Sequence, residues 1–217
     1  MRFSLDGAEI EVPVDHLIVA GWTGRDAQSV QHHIKELQAL GVAPPSRIPL
    51  FYRVSASLLT QAHVQEVLGE TTSGEVEPFL VSREGTLYLG LASDHTDRQL
   101  EAVSVAASKQ VCPKPVADQL WRFDEIAPHI DQLHLQCEIE EDGQWTTYQD
   151  GTLASIRSLT ELAESVELQH GQAMLCGTLG AIGGVRPASA YRMRLLDTVL
   201  GRRMDLTYRV RILPVVA

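Results

Sequence analysis

Three carboxylates in the first half of the chain have a spacing that can be converted into geometry. Glu75 and Glu77 stand two residues apart where an apolar run of strand length begins, and Asp94 follows a second such run. Successive side chains alternate between the faces of a strand, so Glu75 and Glu77 point to the same side. If Glu84-Gly85 forms a two-residue turn, the hairpin register places Glu75 opposite Asp94. The three acids would then converge at one end of a sheet.

Carboxylates that lie this close repel one another and raise each other's pKa, which makes a hard divalent cation a natural partner. A purely structural explanation is also open. Glu75 and Glu77 could form the wet face of an edge strand, while Asp94, with Asp97 three residues later, resembles the capping box of a helix. Apolar residues at helical spacing do follow Asp94. The segment by itself is compatible with a metal site or with a capped helix.

A histidine and a glutamate form a second candidate pair. The clearest helix is predicted over residues 26–40, with Asp26 as N-cap and Gly41 as the stop signal. His33 falls inside the apolar stripe of this helix and Glu36 lies on its edge, and side chains three residues apart can touch. The simpler explanation for an isolated case is a histidine satisfied within the core.

Composition limits the partners. The 217 residues carry 28 acids against 18 bases, a formal net charge of −10, and no cluster of lysine and arginine. Nucleic acid and anionic membrane surfaces are therefore unfavourable partners. The three cysteines are widely spaced, and the N-terminus has no apolar run of signal-peptide length. We expect a soluble, cytoplasmic protein with one domain over residues 1–217, and a small molecule or a protein as its partner.

The other elements are mostly strands. Hairpin turns are predicted at Asp6-Gly7 and Asp142-Gly143, and a capping box at Ser158 begins a short helix. The glycine-rich loop over residues 177–184 does not have the spacing of a phosphate-binding loop. Together these patterns predict a β-rich α+β domain with about three helices. Further strands are predicted over residues 16–21, 50–54, 65–68, 173–176, 191–195 and 206–212.

In this order the motifs resemble the fumarylacetoacetate hydrolase superfamily, and more closely a prokaryotic branch of unassigned function. In that superfamily a Glu-x-Glu strand and a later Asp-x-Ser/Thr-x-Arg segment supply a divalent-metal site. Glu75 and Glu77 match the first motif, and the segment from Asp94 to Arg98 matches the second. The resemblance implies Mg²⁺ or Mn²⁺ as the cofactor and a fold with a mixed, coiled sheet.

Further matches concern the substrate. The superfamily's water-activating His-x-x-Glu pair is matched by His33 and Glu36, and its lysine beyond the aspartate by Lys109, which could equally be a solvated cation at a helix end. Its basic residue after Leu-Phe is matched by Arg53, and its Gly-Thr-Pro turn by the segment that contains Thr178. The chain departs from the pattern where leucine replaces the proline of that turn, and where the usual Asn-Tyr before the histidine is absent.

The resemblance implies a metal-dependent hydrolase or lyase that cleaves a carbon–carbon bond in a small 2-oxo or 1,3-dicarbonyl carboxylic acid. His33, oriented by Glu36, would activate water, and Lys109 would be the third catalytic residue, which neutralises an oxyanion. Arg53, Arg98 and Thr178 would bind the substrate. The alternatives are a 2-oxo acid decarboxylase, isomerase or dehydratase on the same site, or a non-catalytic binding or scaffold protein. The superfamily's habit, and the edge left by the long C-terminal strands, also predict a homodimer.

Overall fold

The computed structural model describes residues 1–39 and 44–216, apart from the side chains of His33, Glu36, Leu37 and Ala39. The α-helices are α1 (Ala27–Ala39), α2 (Arg98–Glu101), α3 (Val105–Gln110), α4 (Phe123–Ile126) and α5 (Leu159–Ser165). The strands are β1 (Arg2–Leu5), β2 (Ala8–Glu11), β3 (His16–Gly21), β4 (Leu50–Val54), β5 (Leu59–Thr60), β6 (Val64–Leu68), β7 (Thr72–Ser73), β8 (Val76–Arg83), β9 (Thr86–Ser93), β10 (Thr96–Asp97), β11 (Lys114–Pro115), β12 (Gln119–Arg122), β13 (His134–Glu141), β14 (Gln144–Thr152), β15 (Gln172–Leu175), β16 (Ala190–Asp197) and β17 (Arg202–Leu213).

Two mixed sheets form the body of the protein. The larger has eight strands in the order β2-β1-β12-β9-β8-β15-β3-β4, and the smaller has five in the order β14-β13-β16-β17-β6. The pairs β1/β12, β15/β3 and β17/β6 are parallel, and the other neighbours in these sheets are antiparallel. Two further pairs, β10/β7 and β11/β5, are two residues long. This architecture confirms the predicted β-rich α+β fold with a mixed sheet.

The eight-stranded sheet is buried on both faces. Leu80 and Leu89 pack into one core, which also contains Tyr191 and Tyr208 from the five-stranded sheet. Phe79 and its neighbours at alternating positions form a separate core on the opposite face. Because side chains alternate along β8 and β9, each residue of these strands can be assigned either to the face of Leu80 and Leu89 or to the face of Phe79. This assignment decides which side chains can meet at the site.

The predicted hairpin turns are confirmed by their backbone conformations. Asp6, Glu84 and Asp142 have φ angles of 51°, 52° and 51°, and the glycine that follows each has a φ between 74° and 80°. Positive φ at both central residues is the conformation that joins twisted antiparallel strands by a two-residue loop. The turn at Glu84-Gly85 therefore sets the register of the β8–β9 hairpin.

The helices differ in part from the prediction. The carboxylate of Asp26 accepts hydrogen bonds from the amides of Gln28 and Ser29, which confirms it as the cap of α1, while Gly41 lies outside the described residues. The helix expected after Asp94 is divided into α2 and α3, capped by Asp97 and Ser104. The interpretation of Asp94 as a cap was wrong. The described ranges hold five α-helices where about three were expected, and none is long and apolar enough to cross a membrane.

Candidate metal centre

The β8–β9 hairpin brings the three predicted carboxylates together. Its register pairs Arg83 with Thr86 and Val76 with Ser93, and the Asp94 amide donates to the Glu75 carbonyl oxygen at 2.9 Å. This is the register that the turn predicted. One carboxylate oxygen from each of Glu75, Glu77 and Asp94 lies within 4.8 Å of the others. The carboxylates lie on the face of the sheet that also carries Phe79.

Glu77 is buried with 2% of its surface exposed, and its Oε2 accepts a hydrogen bond from the Gly177 amide at 2.7 Å. Burial, together with the charge of Asp94, raises the pKa of Glu77 well above its ordinary value. Gly177 can make this bond because it has no side chain. Its φ is +97°, and a Cβ atom there would lie 1.6 Å from Oγ1 of Thr23. The glycine-rich loop therefore supplies a backbone donor to the centre.

Asp94 is held by two lysines. The ammonium of Lys109 donates to Oδ2, and Nζ of Lys114 lies 3.0 Å from Oδ1. Burial alone would raise the pKa of Asp94, but the two ammonium groups hold it below its ordinary value. Burial likewise opposes the charge of Lys109, whose pKa is nevertheless raised by the surrounding carboxylates. For Lys114 burial is the larger effect, and its pKa is lowered.

Arg98 holds the third carboxylate. Its Nη2 lies 3.2 Å from Oε1 of Glu75, its Nη1 donates to Glu101 at 2.9 Å, and its Nε donates to Oγ of Ser73 at 2.6 Å. Arg98 was predicted to bind the substrate, and it lies beside the predicted metal ligands. The contacts described for its guanidinium are therefore with Ser73, Glu75 and Glu101.

The donor set fits a hard divalent cation. Mg²⁺ and Mn²⁺ prefer oxygen ligands, and Glu75, Glu77 and Asp94 would supply them from a rigid hairpin end. A bound cation would also offset the burial and repulsion that raise the pKa of Glu77. Arg98, Lys109 and Lys114 together balance the three carboxylates in charge. The described cluster is thus close to neutral before any cation is added.

The structure does not bring Arg53 to this cluster. Arg53 is exposed, pairs with Ile18 on β3, and places its Nη2 2.7 Å from Nδ1 of His16. Its neighbour Tyr52 instead faces the cluster, with the Lys109 ammonium 5.9 Å from the centre of the ring. Adjacent strand residues point to opposite faces, so Arg53 and Tyr52 cannot both reach the site. The substrate-binding role predicted for Arg53 stays a prediction.

Thr178 has a structural task beside the site. Its hydroxyl donates to the Val76 carbonyl oxygen at 2.7 Å and accepts from Nε2 of Gln149 at 2.7 Å. The Gln149 side chain, fully buried, also accepts from the Val76 amide at 2.9 Å. These bonds fasten the glycine-rich loop to the start of β8. The substrate-binding role predicted for Thr178 stays a prediction.

Sequence reasoning missed Tyr52, Lys114 and Gln149. Lys114 lies between two prolines, a setting typical of a solvated loop, and Gln149 lies on a strand without a recognisable motif. The burial of both side chains depends on contacts far along the chain, which local patterns do not report. His33 and Glu36 lie on α1, but their side chains are outside the described residues. Their predicted pairing stays a prediction.

Solved structures resemble the fold across most of the chain. A candidate fumarylacetoacetate isomerase/hydrolase from Oleispira antarctica aligns over 96% of this chain and 99% of that chain, with 19% identity and a TM-score of 0.65. A 2-keto-3-deoxy-D-arabinonate dehydratase, complexed with magnesium and 2,5-dioxopentanoate, aligns over 93% and 74%, with 15% identity and a TM-score of 0.66. The maleylpyruvate hydrolase from Sphingobium sp. SYK-6 aligns over 94% and 77%, with 15% identity and a TM-score of 0.58.

These similarities confirm the fumarylacetoacetate hydrolase-like fold. A family model described as a protein of unknown function, DUF2848, matches residues 20–208, and the chain belongs to that family. No curated protein sequence gives a significant match.

Proposed function

We propose that this protein is a metal-dependent enzyme that acts on a small 2-oxo or 1,3-dicarbonyl carboxylic acid. The observation that carries the proposal is the cluster of Glu75, Glu77 and Asp94, in which Glu77 and Asp94 are buried and one carboxylate oxygen from each residue lies within 4.8 Å of the others. Burying like charges at this distance is costly, and a hydrophobic core does not need them. The fold similarity to hydrolases and to a magnesium-bound dehydratase supports the same reading.

Glu75, Glu77 and Asp94 would hold Mg²⁺ or Mn²⁺, which supplies polarisation of a substrate carbonyl when bound. The protein's own groups would orient the substrate. Lys109 keeps 6% of its surface exposed, whereas Lys114 is fully buried. Lys109 is therefore the lysine of the pair that we expect to meet a substrate oxyanion, with Tyr52 beside it.

His33, oriented by Glu36, is the proposed proton acceptor, on sequence grounds. It would take a proton from water as the water oxygen bonds to one carbonyl carbon of the substrate. The bond from that carbon to the neighbouring methylene carbon then breaks, and its electron pair stays on the methylene carbon. The proton from His33 is finally returned to that carbon. The step is a hydrolysis that consumes one water and needs no external reductant or oxidant.

A dehydratase, decarboxylase or isomerase on the same site is the second candidate. It is favoured by the similarity to 2-keto-3-deoxy-D-arabinonate dehydratase, whose complex contains magnesium and a dioxo acid. Such reactions use the same enolate chemistry at the carbon next to a carbonyl. A non-catalytic scaffold of this fold has no need of a cation. Metal dependence therefore separates both enzymes from the scaffold.

A substrate panel tests the proposal. Acylpyruvates, oxaloacetate and sugar-derived 2-keto-3-deoxy acids would be assayed with Mg²⁺, with Mn²⁺ and with a chelator. We expect turnover that the chelator abolishes, and in His33→Ala a fall in kcat on the order of 10²-fold, with the metal-induced rise in Tm intact. Undiminished turnover in His33→Ala would remove the proposed acid–base pair. Turnover that persists in the chelator would remove the metal.

The homodimer and the cytoplasmic location stay predictions. Light scattering at micromolar concentration is expected to give twice the 23.9 kDa mass of the chain. A mass equal to that of one chain would contradict the dimer.

A further inference from the structure

The side of the β8–β9 hairpin opposite the carboxylates carries a buried hydrogen-bonded network. Strand alternation turns Ser93 and His95 away from Asp94, toward the core between the two sheets. There the hydroxyl of Tyr208 lies 2.9 Å from Oγ of Ser93 and 3.0 Å from Nδ1 of His95. Tyr208 belongs to β17, in the other sheet. A single phenol thus contacts the residues on both sides of Asp94.

The same phenol lies against the segment that carries Glu75. A Cβ atom on Gly74 would lie 2.1 Å from the Tyr208 hydroxyl and 2.8 Å from Oγ of Ser93. The hydroxyl therefore rests directly against the backbone that precedes Glu75, in space that any side chain would fill. The two backbone segments that carry Glu75 and Asp94 meet at one oxygen atom.

His95 extends the network to a third segment. Its Nε2 lies 2.9 Å from Oγ1 of Thr72, on the short strand that pairs with β10. Each ring nitrogen of His95 therefore has a hydroxyl partner, Tyr208 at Nδ1 and Thr72 at Nε2. The rings of Tyr191 and Tyr208 stack at 5.0 Å, which holds the phenol in place.

We propose that Tyr208 is a positioning residue that sets the affinity of the centre for its divalent cation. The proposal rests on the metal site of the proposed function. The carboxylates lie on one face of the hairpin end and the Tyr208 network on the other, so the phenol fixes the separation of the Glu75 and Asp94 backbones. Groups that orient the residues binding a metal typically change its affinity by about 10- to 100-fold when removed.

The test is a Mn²⁺ titration of the full chain, in which free Mn²⁺ is followed by electron paramagnetic resonance. Tyr208→Phe removes only the hydroxyl, and we expect its Kd to be at least about 10-fold weaker than that of the wild type, or about 1.4 kcal/mol. Tyr88→Phe is the matched control, because Tyr88 is a buried tyrosine near the start of β9, six positions along the chain from Asp94. Its Kd should equal that of the wild type.

The outcomes are separable. A purely structural hydroxyl would lower the Tm of Tyr208→Phe and leave its Kd unchanged, which would overturn the positioning role alone. A wild-type protein that binds no Mn²⁺ would overturn the proposed function, and the positioning role with it. If Tyr208→Phe does not fold, Ser93→Ala decides, because it removes one of the hydroxyl's two bonds. We expect a Kd weakened by about 3-fold in Ser93→Ala, and an unchanged value would contradict the proposal.

Discussion

The protein places ion pairs in two very different environments. On the five-stranded sheet, Nη1 of Arg211 on β17 lies 3.1 Å from Oε1 of Glu66 on β6, and both side chains are more than half exposed. At the end of the β8–β9 hairpin, Nζ of Lys114 lies 3.0 Å from Oδ1 of Asp94, and neither side chain is exposed. The two distances are nearly equal. The environment, and not the separation, distinguishes the two pairs.

This difference in burial indicates that the pair at the hairpin end, and not the exposed pair, belongs to a functional site. An exposed pair costs little to form and contributes about 0–1 kcal/mol. Taking ions out of water costs several kcal/mol for each ion, and the attraction between them often fails to recover that cost. At the end of the β8–β9 hairpin, three acidic and three basic side chains lie together, and the strand pattern predicts the positions of the acids only. Clusters of perturbed ionisable groups of this kind are concentrated at functional sites.

The largest effect is expected when the buried centre loses its aspartate. Asp94→Asn leaves the Lys109 and Lys114 ammonium groups buried without their carboxylate, which should cost about 3–5 kcal/mol in the free energy of unfolding. Urea denaturation followed by circular dichroism measures it. A loss below about 1 kcal/mol, the scale of an exposed pair, would erase the distinction between the two environments.

The next effect concerns the backbone donor to Glu77. Gly177→Ala places a Cβ atom against Thr23 at a φ of +97°, and strain with overpacking should cost about 3 kcal/mol and weaken Mn²⁺ binding. Gly85→Ala is the matched control, because Gly85 also has a positive φ but nothing lies within 4 Å of its Cβ position. It should cost about 1 kcal/mol and leave Mn²⁺ binding unchanged. Equal losses in the two variants would show that close approach at Gly177 has no special role.

A smaller effect is expected for the fully buried lysine. Lys114→Met keeps the length of the side chain, and Asp94 keeps its bond to Lys109, so we expect a loss of about 2 kcal/mol. Saturating Mn²⁺ should reduce the difference in the free energy of unfolding between the variant and the wild type, because the cation restores the missing positive charge. Denaturant titrations with and without Mn²⁺ measure this difference. Lys35→Met, on the exposed side of α1, should change neither titration. If the stability difference between Lys114→Met and the wild type is the same with and without Mn²⁺, Lys114 does not contribute to the centre.

The smallest effect belongs to the exposed pair. Glu66→Gln removes the partner of Arg211 and should cost at most about 1 kcal/mol at low salt. In about 1 M salt the difference should vanish, since exposed charges are screened over about 3 Å there. Thermal denaturation at both salt concentrations is sufficient. A larger loss that persists at high salt would mean that the exposed pair also matters.

The convergence of Glu75, Glu77 and Asp94 was predictable because it depends on two local rules. The turn at Glu84-Gly85 fixes the register of the hairpin, and the alternation of side chains fixes the faces. Both rules act within a hairpin of about twenty residues. The convergence of the three carboxylates therefore followed from the sequence before any contact between distant segments was known.

The cationic half of the centre was less predictable. Lys114 lies on β11, which pairs in parallel with the distant strand β5, and Gly177 meets Glu77 across 100 positions of sequence. The helix expected after Asp94 failed for a local reason. The side chain of Ser104 accepts from the Ala107 amide and starts a new helix, and Val103 is left 82% exposed. The apolar periodicity of the sequence therefore runs through the break between α2 and α3, and Ser104, the N-cap of α3, is its local signal.

The most direct test of the metal centre is the melting temperature of the wild type and of Glu77→Ala, each with a chelator and with millimolar Mg²⁺ or Mn²⁺. A cation that binds only the folded protein raises its stability by about 2.7 kcal/mol at one hundred times the Kd. We expect the wild type to melt several degrees higher with either cation, and Glu77→Ala to melt at one temperature in all conditions. A wild-type melting temperature indifferent to both cations would contradict the metal centre.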